Sequence, residues 1–160
     1  MTAFVMVAFG LVIRYAGSWG VPYFSFQTDR GSTCKNDLTG YTCDPLTLAD
    51  LEFYGEVDLP PDTVVLDSTY RSTHDYQLDA RLEAPAASAD AALQGLLESF
   101  GPCQPGHLAP MNTAGLDAVC VMANDDAVTN DAETSSRLYT VGTGLRPDGS
   151  RAIVMSVKSR

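Results

Sequence analysis

Before Asp29 the chain carries one charged side chain, Arg14, and all 20 of its Asp and Glu lie at or beyond that point. So long an uncharged stretch has to be covered, by lipid or by protein, and which of the two it is decides the compartment. Residues 1–13, MTAFVMVAFGLVI, are apolar apart from Thr2. As a helix they reach about 20 Å, short of the roughly 30 Å hydrocarbon core of a bilayer. Running the span on to Phe26 supplies the length but sets Arg14 near its middle, at about 2.5–3.5 kcal/mol. It also puts Gly17, Gly20 and Pro22 into the second half of the helix. Tyr15, Trp19, Tyr23, Phe24 and Phe26 are instead the residue types enriched at a membrane–water boundary. The expectation is a membrane helix ending near Ile13, with Arg14 reaching the headgroups and residues 15–26 lying in the interface. No Lys or Arg precedes the apolar run, so that helix is expected to begin upstream of Met1. Two rivals stay open. One is a signal peptide cleaved after the YAG of residues 15–17, although it has no basic start. The other is a strand buried on both faces.

The chain thus divides into a membrane anchor with its interfacial segment, residues 1–27, and an acidic domain, residues 28–160. With 45% hydrophobic and 19% charged side chains, 160 residues suffice for one core and are too apolar for wholesale disorder. The net charge of −10, with no basic stripe along the sequence, argues against nucleic acid as a partner. Four cysteines fall in two local pairs, which predicts the disulfides Cys34–Cys43 and Cys103–Cys120, with free thiols as the alternative. No CxxC occurs, and the spacings do not suit zinc. Disulfides place the domain outside the cytoplasm. Arg14 alone would orient it the other way, but one arginine is a weaker topological signal than two cysteine pairs.

Within the domain, residues 27–46 are rich in turn-formers and read as a disulfide-pinned loop. TLADLEFYG suggests a short helix with Thr47 as N-cap and Gly55 as its stop. After Pro60 and Pro61 come two strand-like runs, 63–72 and 75–84. In the second, Tyr76, Leu78, Ala80 and Leu82 alternate with Gln77, Asp79, Arg81 and Glu83, the period of a half-buried strand. SADAALQGLLESFG reads as a helix from a Ser88 cap to Gly101 and Pro102, with one apolar face. AVCVMA, RLYTVGTGL and RAIVMSVKS are further strands, the last two joined by the turn RPDG. The expected fold is α+β: an antiparallel sheet in the order β-β-α-β-β-β with one packed helix, preceded by an amino-terminal membrane helix.

The path DLPPDTVVLDSTYRSTHDYQLDARLEAPAASADAALQGLLESFG, residues 58–101, resembles small extracytoplasmic proteins of high-GC actinobacteria. In these a Pro-rich lead-in is followed by two strands and a helix opening on a small-residue cap. Similar proteins often sit behind an amino-terminal membrane helix. The resemblance implies fold and location; it carries no assigned activity and no catalytic residues.

Residues with chemistry to offer are few. His74, in YRSTHDYQ, lies at a turn beside Asp75 and close to Ser72, where adjacency in sequence rarely makes a nucleophilic triad. His107 stands alone in the Cys103–Cys120 loop, and a metal site needs several converging donors. The acidic loop after Ala123 offers Asn124, Asp125, Asp126, Asn130, Asp131 and Glu133 as hard oxygens of the kind calcium takes, but without EF-hand spacing. Asp125, Asp126, Asp131 and Glu133 are therefore weak metal candidates in what is otherwise a solvated loop. No Gly-rich phosphate loop and no H-E-x-x-H occurs, so no cofactor is implied. The function expected is that of a membrane-anchored extracytoplasmic module that binds another protein of the cell envelope. The alternatives are an envelope enzyme drawing on dispersed groups such as His74 or Asp125, and a secreted ligand or inhibitor released near Gly17.

Overall fold

A computed structural model describes residues 2–124 and 137–159. The elements run α1 (Thr2–Tyr15), β1 (Ser25–Gln27), β2 (Thr33–Asn36), β3 (Tyr41–Cys43), α2 (Leu48–Gly55), β4 (Val64–Ser72) and β5 (Tyr76–Ala84). There follow α3 (Ala89–Phe100), β6 (Asp117–Ala123), β7 (Arg137–Leu145) and β8 (Arg151–Ser159). All strands pair antiparallel in one sheet of order β1-β2-β3-β4-β5-β8-β7-β6. The class is α+β, as expected.

The alternating run becomes the middle of this sheet. Leu78, Ala80, Leu82 and Ala84 of β5 point inward, beside Ile153, Met155 and Val157 of β8. Leu51 of α2 and Leu96 and Phe100 of α3 cover that face and form one core with it. Leu51, Leu78, Leu82 and Leu96 are fully buried, each worth roughly 2 kcal/mol in apolar area withdrawn from water. Arg137 locks the two helix ends together. Its guanidinium donates to the carbonyls of Gly55 and Ser99, where the C-terminal dipoles of α2 and α3 favour a cation, and it pairs with Glu56 at 2.9 Å.

Four expectations need correction. Residues 27–46 are not a plain loop: they contain most of β1–β3, with Cys34 directly opposite Cys43. Strands of three or four residues are too short to show a period. Thr47 does cap α2, accepting from the Asp50 amide, but the left-handed stop is Glu56. Gly55 is instead a packing residue, its missing Cβ leaving room for Met155 and Leu78. Ser88 precedes α3 without capping it by its side chain, because its hydroxyl donates back to the Pro85 carbonyl.

The fourth concerns the membrane helix. Among the described residues no helix is long and apolar enough to cross a membrane. α1 has 14 residues, about 21 Å at 1.5 Å per residue, and the chain turns at Ala16 rather than continuing. This turn is bonded into the sheet. The Asn36 side chain donates to the Gly17 carbonyl (2.7 Å), its backbone exchanges hydrogen bonds with Tyr23 and Phe24, and Val21 donates to Ala16. A Cβ at Gly17 would collide with the carbonyl of Ser25, so this close approach requires glycine. Met6, Val7, Leu11, Val12 and Ile13 of α1 are exposed, as are Trp19 and Tyr23, and Tyr15 stacks on Trp19.

Both expected disulfides are formed. The Cys103–Cys120 loop crosses to the sheet face opposite the helices, where Pro110 and Met111 lie on Gly142 and Leu116 on Gly144. A Cβ at Gly142 would stand 2.7 Å from Pro110 Cδ and 2.9 Å from its Cγ. Gly142→Val is therefore expected to lower stability by about 2 kcal/mol through overpacking and to open residues 104–116 to protease. Urea denaturation and limited proteolysis check the two halves of that statement.

Candidate functional site

The cross-strand register assembles what the linear sequence scatters. On the face away from the helices, Lys35, Thr42, Arg71, Gln77 and Lys158 stand directly opposite one another in turn, across β2, β3, β4, β5 and β8. These include both lysines of the chain. With strands about 4.8 Å apart, the three cations recur roughly every 10 Å. No basic stripe is visible in the sequence; the sheet makes a short one. Lys35, Arg71, Gln77 and Lys158 are exposed, and no ion pair ties up the three cations among the described residues.

At its β4–β5 end the row runs into an open cleft of about 980 Å³, lined by Arg71, His74, Asp75, Tyr76, Gln77 and Lys158 among others. The turn at its rim is closed by the Thr73 amide and hydroxyl, both donating to the Asp75 carbonyl. Three carboxylates border the cations. Asp37 is engaged by the Thr39 amide and hydroxyl and the Gly40 amide, which together with the charge of Arg71 hold its carboxyl below the ordinary range. Asp79 accepts from Gln77 Nε2 (2.6 Å) and Ser156 Oγ (2.7 Å). Asp75 shares the cleft.

On the other face of the sheet, under α2, lies an aromatic stack from which Tyr76 reaches the cleft. Tyr70 stacks on Tyr54 with centroids 3.8 Å apart and on Tyr76 at 6.3 Å, and Tyr41 lies 6.0 Å away. Burial, with Tyr41 as neighbour, pushes the Tyr70 phenol up to about 12 and Tyr54 higher still. Phenols so raised keep their protons at neutral pH and are poor general bases. The stack is part of the core behind the sheet rather than a reactive centre.

Among the described residues the two histidines stand apart from one another. His74 is exposed at the turn, and its ring makes no hydrogen bond among the described residues, so no Ser–His–carboxylate relay is assembled around it. His107 is half-buried in the second disulfide loop, its Nδ1 near the Leu108 carbonyl. No group of three or more potential metal ligands occurs among the described residues. Asp125, Asp126, Asn130, Asp131 and Glu133 lie outside them. Asn124, the first oxygen of that acidic stretch, is committed elsewhere: its Oδ1 accepts from the Tyr139 amide and its Nδ2 donates to the Arg137 carbonyl. The arrangement offers cations with hydrogen-bonding groups between them on a stiff surface, which suits binding an anionic chain. No family model, no curated protein and no solved structure matches this chain.

Proposed function

We propose that the protein is an extracytoplasmic binding module, held at a membrane by α1 and the turn after it, that engages another envelope protein through its open sheet face. The observation that carries this reading is the apolar foot. Met6, Val7, Leu11, Val12 and Ile13 are exposed beside Tyr15, Trp19 and Tyr23, a surface that water does not favour and a bilayer interface does. The two disulfides support an oxidising compartment.

Trp19 is the chain's one tryptophan, so its emission reports directly on the foot. With phosphatidylcholine vesicles the full chain is expected to float with the lipid and its emission to shift to the blue. Replacing Leu11 and Val12 by aspartate should weaken partition by at least about a hundredfold. A full chain that stays in the aqueous fraction with unchanged emission would overturn the membrane reading.

A further inference from the structure

We infer that the partner presents an extended acidic segment, with carboxylates about 10 Å apart, to the row formed by Lys35, Arg71 and Lys158. The inference rests on the binding-module reading and adds the partner's chemistry. In a protein of net charge −10 most surfaces repel an acidic chain. This row differs because three cations stand in line without an ion pair among the described residues. Asp37, which feels the charge of Arg71, and Asp79 accept from their own donors, and Asp75 at the cleft is the carboxylate an acidic chain must pass. Thr42 and Gln77 fill the intervening positions with a hydroxyl and an amide. Arg71 can hold a carboxylate in two parallel hydrogen bonds, and the lysines act as point charges on long stems.

Spacing selects the ligand. A polyproline II chain rises about 3.1 Å per residue with three residues per turn, so acids at every third position fall on one side at about 9 Å intervals. That interval matches alternate strands of the sheet. A bilayer matches less well. Neighbouring strands rotate by roughly 20–25°, so over the four steps from Lys35 to Lys158 the row turns by about 90°. A chain can follow that turn and settle into the cleft beside His74 and Tyr76; a flat surface touches one part of the row at a time.

The test uses the full chain in a neutral detergent and two fluorescent peptides of equal composition and about fifteen residues, one repeating Glu-Pro-Pro and one with its glutamates clustered. Anisotropy is expected to show the repeating peptide binding at least about fivefold tighter, and the combined Lys35→Gln, Arg71→Gln and Lys158→Gln variant losing about tenfold or more. Arg81→Gln is the matched control: it removes a cation from the same face, but one already paired with Asp67, and should leave binding unchanged. Equal binding of the two peptides, or equal loss in the Arg81 variant, would overturn the inference in favour of diffuse attraction. So would binding of the row to phosphatidylglycerol vesicles that the repeating peptide fails to displace, which would assign the face to lipid headgroups. Because the foot is read on phosphatidylcholine, failure with peptides leaves the membrane result standing, and the two readings fail separately.

Discussion

Asp50→Ala is expected to destabilise the fold by about 3 kcal/mol, among the largest effects of any single substitution here. The Asp50 carboxylate is fully buried, and its Oδ2 receives the Thr28 hydroxyl (2.5 Å), the Ser32 amide (3.1 Å) and the Thr47 hydroxyl (3.2 Å). It thereby ties the β1–β2 turn to the first turn of α2. Alanine leaves these donors buried around an empty position. Asparagine keeps an acceptor but aims an amide where Oδ1 now has no partner, so about half the loss should remain. Urea denaturation with unchanged m-values would establish both effects. The same group sets an acid limit. Burial raises the Asp50 carboxyl, but bonds from Ser32, Thr28 and Thr47 outweigh it and hold the group below its ordinary value. A carboxyl depressed on folding contributes its full stability above the unfolded value of about 3.9 and loses it as pH falls through the lower folded value. Asp50→Asn should therefore flatten the acid limb of the stability curve, and a limb unchanged by the substitution would assign it to other groups.

The second large effect concerns the two disulfides, which should differ in lability. Cys34 and Cys43 are 1% and 0% exposed, whereas Cys120 is buried and Cys103 lies at the surface. Under native conditions a mild reductant followed by a thiol label is expected to modify Cys103 and Cys120 first. Cys34 and Cys43 should become reactive only as the fold opens. Replacing Cys34 and Cys43 together by alanine should cost about 3 kcal/mol, from the loop closure released in the unfolded chain and the space left in the core. Intact mass after labelling reads the order. Simultaneous reaction of all four thiols would show that the β2–β3 hairpin opens as readily as the outer loop.

Much of the domain was legible because its elements are long enough to show a period. β5 announces itself by alternation over nine residues, α3 by its apolar face, and the β7–β8 hairpin by a turn that closes as Gly149 donates to Arg146. β1–β3 were not legible, since their order comes from the Cys34–Cys43 bond and the Asp50 hydrogen bonds, which act across the fold. The cationic row was invisible for a different reason. Lys35, Arg71 and Lys158 become neighbours only through register, and no local pattern encodes which residue of β4 faces which of β3. Arg137 belongs to the same class: that one side chain reaches the ends of two helices follows from packing alone. The exposed run of α1 was legible as apolar, but its length and its turn at Ala16 were set by Gly17 and Asn36.

That joint between Gly17 and Asn36 also governs mechanics. A domain on a slack tether swivels and searches a sphere, and its partner sees it at an effective concentration set by tether length. Here no slack lies between α1 and the β1–β2 hairpin, because Ala16 is buried and the intervening turn is hydrogen-bonded at both ends. A pull or twist applied to the helix passes straight into β2, and from β2 across the register to Arg71 and Lys158. Whatever grips α1 thereby aims the sheet.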